Sequence, residues 1–207
     1  MTTRIHLINA AITLQSERKY IESLLSYQNG IEILLRKAKS ITVKNYHEQI
    51  DIKDDAVGYG YDRILGKFYS EFSAREVWIF DPYIRYSHQI ENLSHLCEIF
   101  ISNSDIKRVN LITKESESSV DNQLGKFQVI KSDLESEGVV FSWSFDKTLH
   151  DRKIRFDNGW IIKLGRGLDY FKRREIAFTG LGVHNYNYRK CHATSIDIFH
   201  ESSLSNG

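Results

Sequence analysis

The sequence predicts an α/β fold, a sheet flanked by helices, behind a short N-terminal helical hairpin. Three observations predict it. Between Tyr61 and Phe145, stretches with apolar residues at helical spacing alternate with short continuous apolar runs, the pattern of βαβ units. From Leu149 to Phe171, two short alternating runs flank Asn158-Gly159, a strong local hairpin signal. Before residue 50 the dominant spacing is helical.

The chain has 207 residues, 41% of them apolar and 12% aromatic, which is ample for a core. No run approaches the roughly 20 uninterrupted apolar residues of a membrane span, and Met1 to Leu14 lacks the charged-then-apolar layout of a secretion signal. The expected address is the cytosol. Cys97 and Cys191 are too few for a disulfide framework and lie in unrelated patterns, so they read as reduced, packed thiols. No metal or cofactor is expected.

In order along the chain, Thr3 to Arg18 reads as a first helix, with Ile5, Ile8, Ala11 and Ile12 at helical spacing and Thr2 or Thr3 to cap it. A second helix carries Ile21, Leu24, Leu25, Gln28, Ile31, Leu34, Leu35 and Ala38. Two helices of this length cannot cover both of their apolar faces, so the pair needs a third surface. Residues 1–42 form this hairpin. Residues 43–60, with NYHEQIDI, Asp54-Asp55, Gly58 and Gly60, read as a linker or arm. Residues 61–200 form the α/β domain and 201–207 a disordered tail.

Within the domain, Tyr61, Ile64, Leu65, Phe68 and Phe72 predict a helix. Val77 to Phe80 is a buried strand halted by Asp81 and the sole proline, Pro82. A helix on Ile90, Leu93, Leu96, Cys97, Phe100 and Ile101, a strand Val109 to Thr113, a helix on Val120, Leu124, Phe127 and Leu134, and a strand Val139 to Phe145 follow. Such alternation implies a mostly parallel sheet with its site at the carboxyl ends of strands. Asp81 and Tyr83 stand at one such end, although Asp-Pro is also good turn chemistry. In the hairpin, period two puts His150, Arg152, Ile154 and Phe156 on one face and Lys153, Arg155 and Asp157 on the other. Trp160 to Leu164 is its second strand, followed by a tight Gly165-Arg166-Gly167 turn. Thr194 to Phe199 is a last strand, with either Ile196 and Ile198 or Asp197 and Phe199 inward.

A net charge of +1 conceals an asymmetry. Asp51 to Asp146 holds 10 basic and 17 acidic residues, whereas Lys147 to Lys190 holds 11 basic and 4 acidic. That block is either a solvated basic face or a surface for a polyanion. Its candidate phosphate- or lipid-binding residues are His150, Arg152, Lys153, Arg155, Lys163, Arg166, Lys172, Arg173 and Arg174. Tyr170, Phe171, Tyr186 and Tyr188 lie in the same block, but no nucleic-acid recognition module does, so nucleic acid is not expected.

The spacing His150, Arg152, Asp157 reproduces H-x-K-x-x-x-x-D, the phospholipase D signature, with arginine in place of lysine. The resemblance implies His150 as a nucleophile on phosphorus, Arg152 as a phosphoryl ligand, and a second motif to protonate the leaving oxygen. The chain has one such motif, which a symmetric dimer would double. Arginine holds phosphate bidentately but lacks the compact ammonium of lysine, and Gly159-Trp160-Ile161-Ile162 lacks the asparagine that usually follows the motif. Phosphate holding is therefore expected over catalysis. Ala10 to Lys39 resembles the first two helices of an MIT domain, a three-helix module that binds ESCRT-III tails, and the pattern changes before a third helix. VWIFDPYIR, LHDRKIRFDNGWIIKLGRGLDYFK and CHATSIDIFH resemble the phospholipase D-like C-terminal domain of the MIT domain-containing protein 1 family. That resemblance implies a non-catalytic homodimer, peripheral on late endosomal membrane and the midbody, that binds acidic phosphoinositide membranes and acts in abscission during cytokinesis. It also implies ESCRT-III tail binding at Tyr27, Ile31, Glu32, Leu34 and Leu35.

Overall fold

The computed structural model describes residues 19, 20, 27, 46–70, 74–174 and 179–203. The chain divides into two compact units, Met1–Lys44 and Asn45–Gly207. In the first, Lys19, Tyr20 and Tyr27 are helical, and both tyrosines are exposed. The rest of the helical-hairpin reading, including Ile31, Glu32, Leu34, Leu35 and the third helix, lies outside the described residues.

The second unit is a seven-stranded sheet: β1 (His47–Ile52), β2 (Glu76–Phe80), β3 (Arg108–Thr113), β4 (Val140–Phe145), β5 (Lys153–Phe156), β6 (Trp160–Leu164) and β7 (Thr194–His200). Its order is β1-β7-β6-β5-β2-β3-β4. Three helices join it: α1 (Tyr61–Ser70), α2 (Ser87–Asn103) and α3 (Val120–Ser136). β2-α2-β3-α3-β4 is the expected βαβαβ run, with β2–β3 and β3–β4 parallel. The sheet is nevertheless mixed rather than mostly parallel. β5 pairs antiparallel with β2 on its other side, and β6, β7 and β1 continue antiparallel. β5 enters antiparallel beside β2 through the connection after β4, and only the β5–β6 reversal follows from the hairpin, since a tight turn can only join antiparallel strands. Its connection is the three residues Asp157-Asn158-Gly159, with Gly159 at φ +90°, the left-handed position that favours glycine.

His47–Ile52, read as part of a linker, is an edge strand. The alternation of NYHEQIDI sends Ile52 into the core while His47, Gln49 and Asp51 stay exposed. Of the two readings left open for β7, Ile196 and Ile198 are the buried pair. The tail reading also needs correction at its start, because Glu201–Ser203 form a 3-10 turn anchored by Glu201 N–H donating to Gly159 O.

All three helices lie on one face of the sheet, where ring contacts such as Phe68–Trp160, Phe100–Phe156 and Phe127–Phe141 fill the core. α1 buries Tyr61, Ile64, Leu65, Phe68 and Tyr69, one face of a helix. α2 starts where Gln89 accepts from the backbone N–H groups of Arg85 and Tyr86. Buried Gln123 in α3 accepts from Ser116 N–H and donates to the carbonyls of Ile84 and Lys114, tying the loops after β2 and β3 together. On the opposite face, Trp78, Phe80 and Phe199 are half-buried beneath Arg155, Lys153 and Lys163 respectively. Cys97 and Cys191 are both buried and free.

Candidate functional site

The register places the carboxyl ends of β2, β3, β4 and β6 and the start of β5 at one end of the sheet. This rim gathers Asp81, Tyr83, Arg85, Lys114, Lys147, His150, Arg152, Lys163 and Arg166. It lies where the βαβ pattern expects a site.

Asp81, 2% exposed, is its structural anchor. One carboxylate oxygen accepts from Tyr83 N–H at 2.9 Å and the other from Leu168 N–H at 2.8 Å. Burial pushes its pKa up to about 6, against the opposing pull of the two N–H groups and of Arg152. The Gly165-Arg166-Gly167 turn therefore wraps a carboxylate of its own protein. Gly167 sits at φ +66°, where a Cβ would collide with the Asp81 carboxylate. Tyr61 Oη and Asn92 Nδ2 donate to Leu168 O and pin the same turn from α1 and α2. Arg166, between the two glycines, is exposed and makes no ion pair or hydrogen bond among the described residues.

Arg152 donates through Nη1 to Gly165 O at 2.6 Å, and its guanidinium stands 4.6 Å from the Tyr83 ring centroid. Arg85 approaches the same ring at 5.4 Å while bonding Glu117 at 2.9 Å. Tyr83 thus holds two guanidinium groups at the rim. The Nε of each arginine is buried without a partner. His150 is exposed and makes no hydrogen bond among the described residues. Asp157 lies at the far end of β5, where it accepts from Arg75 N–H at 3.1 Å. The H-x-R-x-x-x-x-D spacing is therefore split, with His150 and Arg152 on the rim and Asp157 closing the opposite end of the strand.

The basic block divides in the same way. Lys153 pairs with Asp151 at 2.7 Å, Arg155 with Glu201 at 3.2 Å and Arg174 with Glu91 at 3.1 Å. Lys172 meets Asp54 at 2.6 Å and Asp55 at 3.0 Å, and its hydrogen bond holds the Asp54 carboxyl below its ordinary pKa. Arg173 contacts the His88 ring at 3.1 Å. Lys163 lies over Phe199. The basic side chains of the rim that are exposed to solvent are Lys147, Lys163 and Arg166, with the His150 imidazole also exposed. Arg85 and Lys147 were missed in the sequence reading. DPYIR, with Tyr83 and Arg85 two residues apart at a strand end, was the available signal for the first. No group of three His, Cys, Asp or Glu side chains among the described residues is placed to hold a metal ion.

The mixed sheet, its hairpin and the rim belong to a domain whose class the family comparison supplies, phospholipase D-like. The chain belongs to the family described as the phospholipase D-like domain at the C-terminus of MIT, which matches residues 58–200. Over 232 residues it is 34% identical to MIT domain-containing protein 1 of Mus musculus, covering 96% of this chain and 92% of the mouse protein. That alignment is longer than the 207 residues of this chain, so the mouse protein has positions without a counterpart here. Among solved structures, phosphatidylserine synthase of Haemophilus influenzae Rd KW20 is similar at a TM-score of 0.43 and 13% identity, over 79% of this chain and 37% of that one. No helix among the described residues is long and apolar enough to cross a membrane.

Proposed function

We propose that this protein is a non-catalytic adaptor whose C-terminal domain holds the phosphates of an acidic phosphoinositide membrane at the rim. Its N-terminal unit takes ESCRT-III tails, and the protein works as a homodimer at the late endosomal membrane and at the midbody during abscission. Family membership supports the adaptor part of the reading. The observation that carries the membrane part is the division of the basic block. Arg166, Lys147, His150 and Lys163 face solvent at one end of the sheet, whereas Lys153, Arg155, Lys172 and Arg174 are engaged by acids. Each cation near an anionic leaflet contributes about 1 kcal/mol, so the rim supplies a weak, salt-sensitive grip.

The test is co-sedimentation of the full chain with phosphatidylcholine vesicles, with and without a phosphatidylinositol phosphate, at low and high salt. Binding confined to the acidic vesicles and weakened by salt is expected. Equal binding to both compositions would refute the membrane reading. A second reading, a phospholipase D-type phosphodiesterase using His150, draws on the shared position of His150 and Arg152 on the rim. It requires turnover of a phosphodiester that disappears in His150→Ala.

A further inference from the structure

β4, Val140–Phe145, is a terminal strand of the sheet, and among the described residues nothing pairs with its outer edge. Edge strands are ordinarily blunted by charge, proline, a bulge or a cover. This one reads VFSWSF, with none of these residues, and Val140 is 44% exposed. Residues 141–145, FSWSF, form a palindrome centred on Trp143. An antiparallel pair of identical strands is related by a two-fold axis, so a palindrome presents the same side chain at each pair of symmetry-related positions.

The backbone has the matching phase. Val140 N–H donates inward to Lys107 O, and Asp146 N–H inward to Thr113 O. The N–H and C=O groups of Ser142 and Ser144 therefore also turn toward β3, and those of Phe141, Trp143 and Phe145 turn outward. A register centred on Trp143 places Trp143 against Trp143 of the partner subunit and Phe141 against the partner's Phe145. All three are hydrogen-bonded positions, so every outward N–H and C=O of these residues acquires a partner. A one-residue shift of the centre would lose that match. Above the edge, α3 adds a helical flank. Lys126 bonds Ser87 of α2 at 2.7 Å, which fixes the side of α3 that faces α2 and leaves Leu124, Gln128 and Lys131 on the side of the open edge.

We infer that β4 is the surface through which a second copy of this chain docks, extending the sheet antiparallel across a two-fold axis at Trp143. The inference gives a location to the homodimer proposed above and rests on that reading only for the dimer, not for lipid binding. It also sets the dimer's geometry. Reversed strand direction puts the partner's cation rim at the opposite end of the extended sheet. Such a dimer bridges two anionic surfaces instead of gripping one twice.

Ser142→Cys/Ser144→Cys tests the register, because Ser142 faces the partner's Ser144 in a non-hydrogen-bonded pair, where Cα atoms lie about 4.5 Å apart, within disulfide reach. Ser142→Lys/Ser144→Lys tests the interface, since both side chains are exposed, the exchange costs the β3 side only the Ser142 Oγ–Asn110 Oδ1 bond, and it places like charges across the pair. In analytical ultracentrifugation the full wild-type chain should sediment as a dimer. The lysine variant should fall to half that mass with an unchanged circular-dichroism spectrum. The cysteine variant should form a covalent dimer on oxidation that the wild type does not form. With vesicles containing a phosphatidylinositol phosphate, the lysine variant should still co-sediment within about twofold of wild type yet lose vesicle clustering. A monomeric wild type overturns the inference, as does a dimer that survives the lysines, or a cysteine variant that does not cross-link. Loss of co-sedimentation by the wild type itself would instead sink the membrane reading and leave the interface standing.

Discussion

The antiparallel half of the sheet, β1-β7-β6-β5, and the parallel half, β2-β3-β4, share one core but handle charge and backbone in opposite ways. The antiparallel half and its loops carry most of the basic block, with every backbone edge paired among the described residues except the outer side of β1. Acids far away in sequence engage Arg155, Lys172, Arg174 and Lys190 in this half, as Asp54 and Asp55 do for Lys172. The parallel half ends in a strand without charge whose outer backbone groups have no partner among the described residues. Charge density in a sequence is thus a poor guide to charge offered to a ligand. An uncharged edge can be the more informative surface.

The contrast can be broken from either side. The largest effect is expected in the parallel half, from Gln123→Leu, which leaves Ser116 N–H and the carbonyls of Ile84 and Lys114 unpaired. At about 1–3 kcal/mol for each orphaned group, a loss of roughly 4 kcal/mol in urea unfolding is expected, and a change below about 1 kcal/mol would show that the loops after β2 and β3 do not depend on it. In the antiparallel half, Gly167→Val combines a left-handed φ with a collision at the Asp81 carboxylate and should lower stability by about 3 kcal/mol. A midpoint equal to that of wild type would mean the turn does not close on Asp81.

Asp81 joins the two halves, and its pH dependence has a definite sign. Its pKa is raised from 3.8 to about 6 in the fold, so the folded chain holds the proton more tightly than the unfolded chain. The Asp81 contribution therefore makes stability fall as pH rises from 4 to 6, by on the order of 2–3 kcal/mol. Asp81→Asn should flatten that part of the profile. An unchanged slope in the variant would assign it to other groups.

Much of this fold was legible because it rests on period. The apolar spacing of α1, α2 and α3 and the runs of β2, β3 and β4 gave each element within a few residues, and Asn158-Gly159 gave the hairpin. β1 was not legible as a strand, because a polar alternation such as HEQIDI resembles an arm until β7 supplies its partner. Sheet direction was misjudged because βαβ order fixes only the strands it connects, and β5 was free to enter antiparallel beside β2. The rim was half visible. Strand ends pointed to Asp81 and Tyr83, and spacing to His150 and Arg152. Pairings such as Arg155 with Glu201 and Arg174 with Glu91 join residues too distant in sequence for a local charge balance to detect. FSWSF could be read in the sequence, but its meaning depends on β4 lying at an edge.

The smallest expected effect is also the most direct test that availability, not number, of cations matters. Arg166→Ala and Lys172→Ala each remove one positive charge from the same block, so co-sedimentation with vesicles containing a phosphatidylinositol phosphate can be compared at one ionic strength. Arg166→Ala should weaken binding about fivefold, the equivalent of about 1 kcal/mol, and Lys172→Ala should leave it unchanged. Equal losses in the two variants, or no loss in Arg166→Ala, would contradict the account.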